Sequence, residues 1–496
     1  MSKINVYSEI GRLKKVMLHR PGDEIDGVIP QTMPRHLFDD IPWKKGAQYE
    51  HDCFADILRS EGTEVVYIED LFRESFDREG SRGAFLERFL DVHGIHNGHL
   101  RGQLAEYLLS LDARAMADKI MAGVRKSDIG ERGAADFCRF FPDAEYELYY
   151  TEPLANLYYT RDPGSSIGRG MSFHNMEKLG RELETVVWQH IFCNHPDFAD
   201  GDTPMWLSNE SPFGIEGGDI AVLSKDVIAI GSSLRTRPEA IEQLARNILP
   251  RDSFKKVLAF TIPHDRKFMH LDTVLTMIDY DKFTIHPGIE ATLNVFEISL
   301  GRDGELVYKD RSAPVEKVLA GALGLDSVQV FRCAGGSYID AEREQWNDGT
   351  NTLAIAPGTV VTYSRNEVTN ELLEKHGIRV LQMPCGELSR GRGGPRCMSM
   401  PLVREDIISV SYTHLDVYKR QAQQRRAGFH DEILYHGIYL LILCGDHGAY
   451  RRHRSAAGKT AAVCEDQIQP RLRDFYFLCS SDGDRRKFDT GVDSHR

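Results

Sequence analysis

Short apolar runs alternate with longer amphipathic stretches along most of this 496-residue chain. The clearest unit begins at Asp219. Ile220–Leu223 and Val227–Ile230 flank a Ser-Lys-Asp turn and read as a β-hairpin. Thr236 then caps a helix through Leu249, with Pro238 in its first turn, where a missing N–H costs nothing. Lys256–Ile262 follows as a strand. The same order recurs. One copy is Thr352–Ala356, Thr359–Ser364, a helix near Glu367–His376 and Ile378–Leu381. Another is Thr273–Ile278, Phe283–His286, a helix near Val315–Leu323 and Ser327–Arg332. A fourth begins at Leu157 and includes a helix near Arg181–Phe192. The fifth opens the chain, with Ile4–Tyr7, Lys15–His19, a helix near Gln48–Ser60 and Glu64–Ile68. The period is loose, so this is a repeat of architecture and not of sequence. Five ββαβ modules around one axis predict an α/β fold, a five-bladed pseudo-symmetric propeller. Its functional residues would lie at strand ends and loops facing the axis.

Residues 71–141 break the rhythm. Phe85–Val92, Leu100–Leu109 and Ala113–Val124 carry apolar residues at helical spacing and predict an inserted helical domain. The expected organisation is therefore a catalytic propeller from 1–70 and 142–410, a helical insertion at 71–141 and an atypical tail at 411–496. In that tail the periodicity fades and charge balance inverts. Fourteen Lys and Arg stand against eleven Asp and Glu there, in a chain of formal charge −13. Ser411–Gln421 resembles translated non-coding linker sequence, so the tail is expected to be non-native and without function; a regulatory tail is the alternative. Ala457-Gly458-Lys459-Thr460 has the end of a phosphate loop, but His453 stands where its first glycine is needed.

The acidic balance argues against non-specific nucleic-acid binding. Nine cysteines are spread without a Cys-x-x-Cys pair, which favours neither a zinc site nor a disulfide scaffold. Met1–Arg12 is polar and lacks a signal core, so a cytoplasmic protein is expected. The longest apolar run, near Ile433–Cys444, is too short to span a bilayer, and no membrane partner is expected.

Four motifs carry candidate chemistry. Gly391–Met398 is glycine-rich and holds Cys397 beside Arg392 and Arg396, whose charge favours a thiolate. Phe268–Asp272 would place His270 and Asp272 on one face of a strand. Glu216-Gly217-Gly218-Asp219 precedes an apolar run, and Tyr159–Pro163 brings Asp162 to the end of a strand-like stretch. Each alone has a plain reading: a buried thiol, a surface pair, a turn, a turn former. Together they suit attack on a cationic carbon. A guanidinium is planar, offers five N–H donors and is a poor electrophile. Asp162 and Asp272 would hold it, a sulfur nucleophile would attack, and His270 would shuttle protons with Glu216 fixing its tautomer.

On these residues the chain resembles a bacterial arginine deiminase of the guanidino-group-modifying superfamily. Further matching blocks are Phe38–Trp43, Glu50-His51-Asp52 and Arg343–Trp346, and the resemblance runs from about Val6 to Asp406. It implies hydrolysis of L-arginine to L-citrulline and ammonia, in arginine catabolism, through a covalent thiouronium on Cys397. It also implies that Asn156, Arg181 and Arg235 clamp the α-amino and α-carboxylate groups, and that Arg392 is a mobile loop arginine near the sulfur. The expected partner is free L-arginine, with no metal and no other cofactor, and a homo-oligomer (dimer or tetramer) is expected. Tyr159 departs from the family's usual phenylalanine and would add a hydroxyl to the pocket; Leu234 replaces a common glutamate. The alternatives are action on another guanidino compound, amidino transfer, a non-catalytic guanidino-binding protein and a cysteine protease.

Overall fold

A computed structural model describes residues 3–129, 148–176, 179–199 and 202–407, all within one compact unit, Met1–Ile408. Five sheets share one construction: an antiparallel pair, a helix, and a third strand parallel to the second. In one, Leu353–Ala356 pairs with Thr359–Tyr363, helix Glu367–Lys375 crosses over, and Arg379–Met383 returns in parallel. Thr-Val-Val-Thr-Tyr is a β-branched run that fits a pleated, buried surface. Another is built from Leu275–Asp279, Lys282–Ile285, helix Val315–Leu323 and Gln329–Arg332. Gly164–Ile167, Gly170–Phe173, helix Leu179–Asn194 and Met205–Leu207 form a third.

The sheet of Ile220–Ser224, Val227–Ser232 and Lys256–Thr261 is extended by a hairpin, Val295–Leu300 and Leu306–Asp310, that the sequence pattern does not foresee. Its helix is Pro238–Ile248, with Ala240, Ile241, Leu244, Ala245 and Ile248 buried at three- and four-residue spacing. Thr236 does not cap it. Arg237 precedes the first turn without a side-chain cap, and the Thr236 hydroxyl instead accepts the Glu216 N–H at 3.1 Å.

The N-terminal sheet departs most from expectation. Leu13–Leu18, helix Lys44–Ser60 and Glu64–Tyr67 form as predicted, but the outer strand is Met400–Arg404, from the far end of the described residues. Ile4–Tyr7 makes only isolated bridges, Asn5 to Val403 and Val6 to Gly168. Pro401 is tolerated because Met400–Arg404 lies at the sheet edge. This pairing draws Cys397 into the segment just ahead of a sheet.

Helix Ile68–Ser75 runs into the stretch expected to be an insertion (71–141), which also forms helices Ser81–Val92, Gly98–Ser110 and Ala113–Ala122. Asn97 and Asp112 cap the last two by accepting N–H groups of the first turn. The insertion packs on helix Leu179–Asn194, where Phe72, Phe76 and Phe85 surround His190 at ring distances of 6.1, 5.2 and 4.9 Å. The end of the expected insertion and the tail 411–496 lie outside the described residues. No helix among the described residues is long and apolar enough to cross a membrane.

Candidate active site

In each of the five sheets, the segment leading into one edge strand carries a polar group. Asp162 lies just ahead of Gly164–Ile167, Glu216 and Asp219 ahead of Ile220–Ser224, and His270 and Asp272 ahead of Leu275–Asp279. Asn351 stands ahead of Leu353–Ala356, and Cys397 ahead of Met400–Arg404. Two local expectations change. His270 precedes the 3-10 turn Leu271–Thr273 and Asp272 lies within it, so neither is on a strand. Thr160–Asp162 forms a turn that precedes a strand and does not end one. Both changes serve convergence, since a turn can aim a side chain off the sheet.

Close approach explains the Glu-Gly-Gly-Asp motif. A Cβ on Gly217 would lie 2.0 Å from the Arg161 carbonyl oxygen, and one on Gly218 would lie 2.6 Å from His270 Nδ1. With glycine there, the Gly218 N–H donates to Asp162 Oδ1 at 3.1 Å.

All five central groups are buried. His270 Nε2 is 2.7 Å from Glu216 Oε2, and its Nδ1 is 3.9 Å from Asp162 Oδ1. Cys397 Sγ donates toward Asp272 Oδ2 at 3.6 Å. Asp272 Oδ1 is buried without a hydrogen-bond partner. Burial works against charge on His270, but the carboxylates of Asp162, Glu216 and Asp219 outweigh it and lift the imidazole to about 9. Glu216 is held well below the usual carboxylate range: Arg235 and His270 overcome the opposing effect of burial. The thiol goes the other way. Burial, then Asp272, Asp162 and Asp348, push Cys397 well above the ordinary thiol range. The pull toward a thiolate expected from Arg392 and Arg396 does not prevail in the empty site. Arg396 is turned to Asp272 at 2.8 Å and to Glu9 at 3.1 Å, and its charge is offset there.

His270 gives a pH prediction. Its folded value of about 9 exceeds the unfolded 6.5. Its imidazolium therefore adds stability fully present below pH 6.5 and lost as pH rises through about 9, on the order of 3 kcal/mol. Chemical denaturation of the wild type and His270→Gln should give a stability gap that narrows across that window. A gap that widens with pH would refute the protonated state.

The expected substrate-binding residues also lie here. Arg181 Nη1 is 2.5 Å from Asp162 Oδ2, and its Nε bonds Glu184 at 3.0 Å. Asn156 Nδ2 donates to the His36 carbonyl at 2.7 Å, and its own carbonyl faces Arg181. Arg235 Nη1 reaches both Glu216 oxygens at 3.2 Å. Arg392 adopts φ +63° and stacks its guanidinium on the Trp346 ring at 3.6 Å. The Tyr159 hydroxyl is not free in the pocket: it donates to the Leu388 carbonyl at 2.8 Å and so ties down the loop before Cys397. Leu234 is 43% exposed.

Sequence reasoning missed several neighbours. Asn351 touches the cysteine directly. Asp348 is buried at φ +55°, and burial pushes its carboxyl up to about 7 against the pull of Arg392. Gln345 braces the His270 turn through the Lys267 and Thr273 carbonyls, and Glu50 accepts the Glu387 and Leu388 N–H groups. For Gln345 and Glu50 the signal was their place in the blocks Arg343–Trp346 and Glu50–Asp52; Asp348 and Asn351 lie in neither.

Asp162, Glu216 and His270 bring ligand-type atoms within 4.8 Å of one another. Those atoms already bond to one another and to Arg181, Arg235 and the Gly218 N–H, and an imidazolium has no lone pair for a metal. The donor set suits proton transfer.

A family profile described as arginine deiminase matches residues 35–404. The arginine deiminase of Treponema denticola is 48% identical over 412 residues, 82% of this chain and 100% of the relative. That of Levilactobacillus brevis is 49% identical over 411 residues, 82% of this chain and 100% of the relative. For that of Clostridium perfringens the values are 47% over 416 residues, 82% and 98%. The chain belongs to the arginine deiminase family.

Proposed function

We propose that Cys397, His270, Glu216, Asp162 and Asp272 carry out the family's reaction here. That reaction is the hydrolysis of L-arginine to L-citrulline and ammonia through a covalent cysteine thiouronium. The observation that carries the assignment is the state of Asp272: one oxygen lies 3.6 Å from the thiol, and the other is buried without a partner. An unpaired buried carboxylate oxygen is costly. A guanidinium N–H satisfies it and brings the carbon beside the sulfur.

The chemistry follows from the charges. With the site empty, carboxylates keep the thiol protonated. A guanidinium between Asp162 and Asp272 offsets that field, and the sulfur ionises, its proton leaving to solvent. The thiolate adds to the central carbon. His270, with Nε2 held by Glu216, gives its proton to one amino group, which departs as ammonia and leaves a thiouronium. Neutral His270 then takes a proton from water, and the hydroxide adds to the same carbon. Collapse of the adduct expels the thiolate, and loss of the hydroxyl proton gives the ureido group. Arg181 and Arg235 would swing from Asp162 and Glu216 to the substrate carboxylate, an Arg–carboxylate fork, with Asn156 at the α-amino group and Arg392 over the entrance.

We read the five sheets as blades of a propeller about one axis. Contacts across units support this: His270 with Glu216 and Asp162, and Cys397 with Asp272 and Asn351. The same reading has the enzyme acting in the cytoplasm as a homo-oligomer, a dimer or tetramer, which light scattering checks. It confines activity to residues 1–410.

The test is product formation. Full-length protein and a chain ending at Val410 are each given arginine, agmatine and a peptidyl-arginine, and ureido product is measured. Both chains should yield citrulline at similar rates, with little product from the other two. Agmatine turnover equal to arginine's would remove the roles given to Arg181 and Arg235. A large loss on truncation would restore the tail to the enzyme.

A further inference from the structure

We propose that Asn351 positions and activates the cysteine, holding its backbone with one carboxamide atom and donating an N–H to its sulfur with the other. This rests on Cys397 being the nucleophile. Asn351 is fully buried. Its Oδ1 accepts the N–H groups of Arg396 at 3.1 Å and Cys397 at 3.2 Å. Two backbone donors can be satisfied only by the oxygen, so they fix which way round the amide lies. Nδ2 is thereby turned to Cys397 Sγ and the Asp272 carbonyl, each at 3.2 Å.

The sulfur otherwise faces negative charge from Asp272, Asp162 and Asp348. The Asn351 amide is the side-chain donor that meets it among the described residues, and the Gly394 N–H acts in the same sense. Gly394 is required for that fit, since a Cβ there would lie 2.7 Å from Asn351 Oδ1. Against a neutral thiol such a contact is weak. Against a thiolate it becomes charge-assisted and roughly twice as strong. The arrangement thus favours the ionised sulfur without adding a positive charge that would repel the substrate cation. One amide also ties the nucleophile to the backbone of Asp272, so the two move together.

The roles separate in Asn351→Asp, which keeps an oxygen for both backbone donors but turns the N–H on sulfur into an acceptor. Asn351→Ser, smaller and uncharged, is the companion. Cys397 alkylation by iodoacetamide is followed against pH by peptide mass spectrometry, with kcat, KM and melting temperature measured alongside. In either folded variant, the alkylation midpoint should move alkaline by about one unit, lowering the rate near neutral pH about tenfold. The loss in turnover should fall mainly on kcat. A midpoint equal to the wild type's in a folded variant overturns the proposal while leaving Cys397 as nucleophile. Failure of both variants to fold also overturns it, because Asn351 would then be a fold residue. Turnover by Cys397→Ser would instead bring down the underlying reading.

Discussion

Cys397→Ser is expected to abolish citrulline formation while the protein still binds arginine. The environment of residue 397 already raises a thiol well above its ordinary range. A serine hydroxyl starts far higher, and the same burial and carboxylates would oppose its ionisation too. The substrate cation can offset that field for a thiol but not for an alcohol. The expected loss in kcat is on the order of 10⁴-fold or more, as when a covalent nucleophile is removed. Binding should survive because the proposed holders of the cation, Asp162 and Asp272, keep the Gly218 N–H and Arg396 as partners, and neither depends on sulfur. Calorimetry with arginine and a product assay test both halves. Near-normal turnover would remove Cys397 from the chemistry. Lost binding with an intact fold would mean that sulfur holds the ground state as well.

What the chain disclosed before folding divides along physical lines. Helices were legible because their signal is local. Val315–Leu323 is where its apolar spacing put it, and the helix after Pro238 ends close to expectation. The candidate site residues stood out because reactive side chains on glycine-rich turns are unusual, as at Glu216–Asp219 and Gly391–Met398. Non-local pairing was not legible. Nothing near Met400–Arg404 announces that it completes a sheet with Leu13–Leu18, and the pattern at Ile4–Tyr7 pointed elsewhere. Charge balance was also hidden. Arg396 neighbours Cys397 in sequence, yet its guanidinium belongs to Glu9 and Asp272. No motif singled out Asn351, and only the fold reveals its four contacts around the cysteine.

Glu9→Gln should be the most destabilising single change outside the reacting groups. Arg161, Arg396 and Arg404 are all buried. Glu9 accepts from Arg396 Nε at 3.1 Å and Nη2 at 3.2 Å, and it also takes the Val222 N–H at 3.1 Å. Burial opposes its charge, but Arg396 and Arg161 hold the carboxyl down to about 2. Burial in turn lowers Arg161 to about 9 and Arg404 to about 10, so this cluster is already short of negative charge. A glutamine keeps the shape and removes the anion. Breaking a buried pair from one side costs about 3–5 kcal/mol, a large part of the stability of an ordinary domain. The direction with pH follows. The folded value of about 2 lies below the unfolded 4.5, so the contribution of Glu9 is complete above pH 4.5 and lost as pH falls through about 2. Urea unfolding at neutral pH should show the full deficit, and the gap between wild type and variant should shrink on acidification below 4.5. Activity should fall as well, because Arg396 also holds Asp272 in place. A variant within about 1 kcal/mol of wild type at neutral pH would mean that these guanidinium groups are stabilised by something other than Glu9.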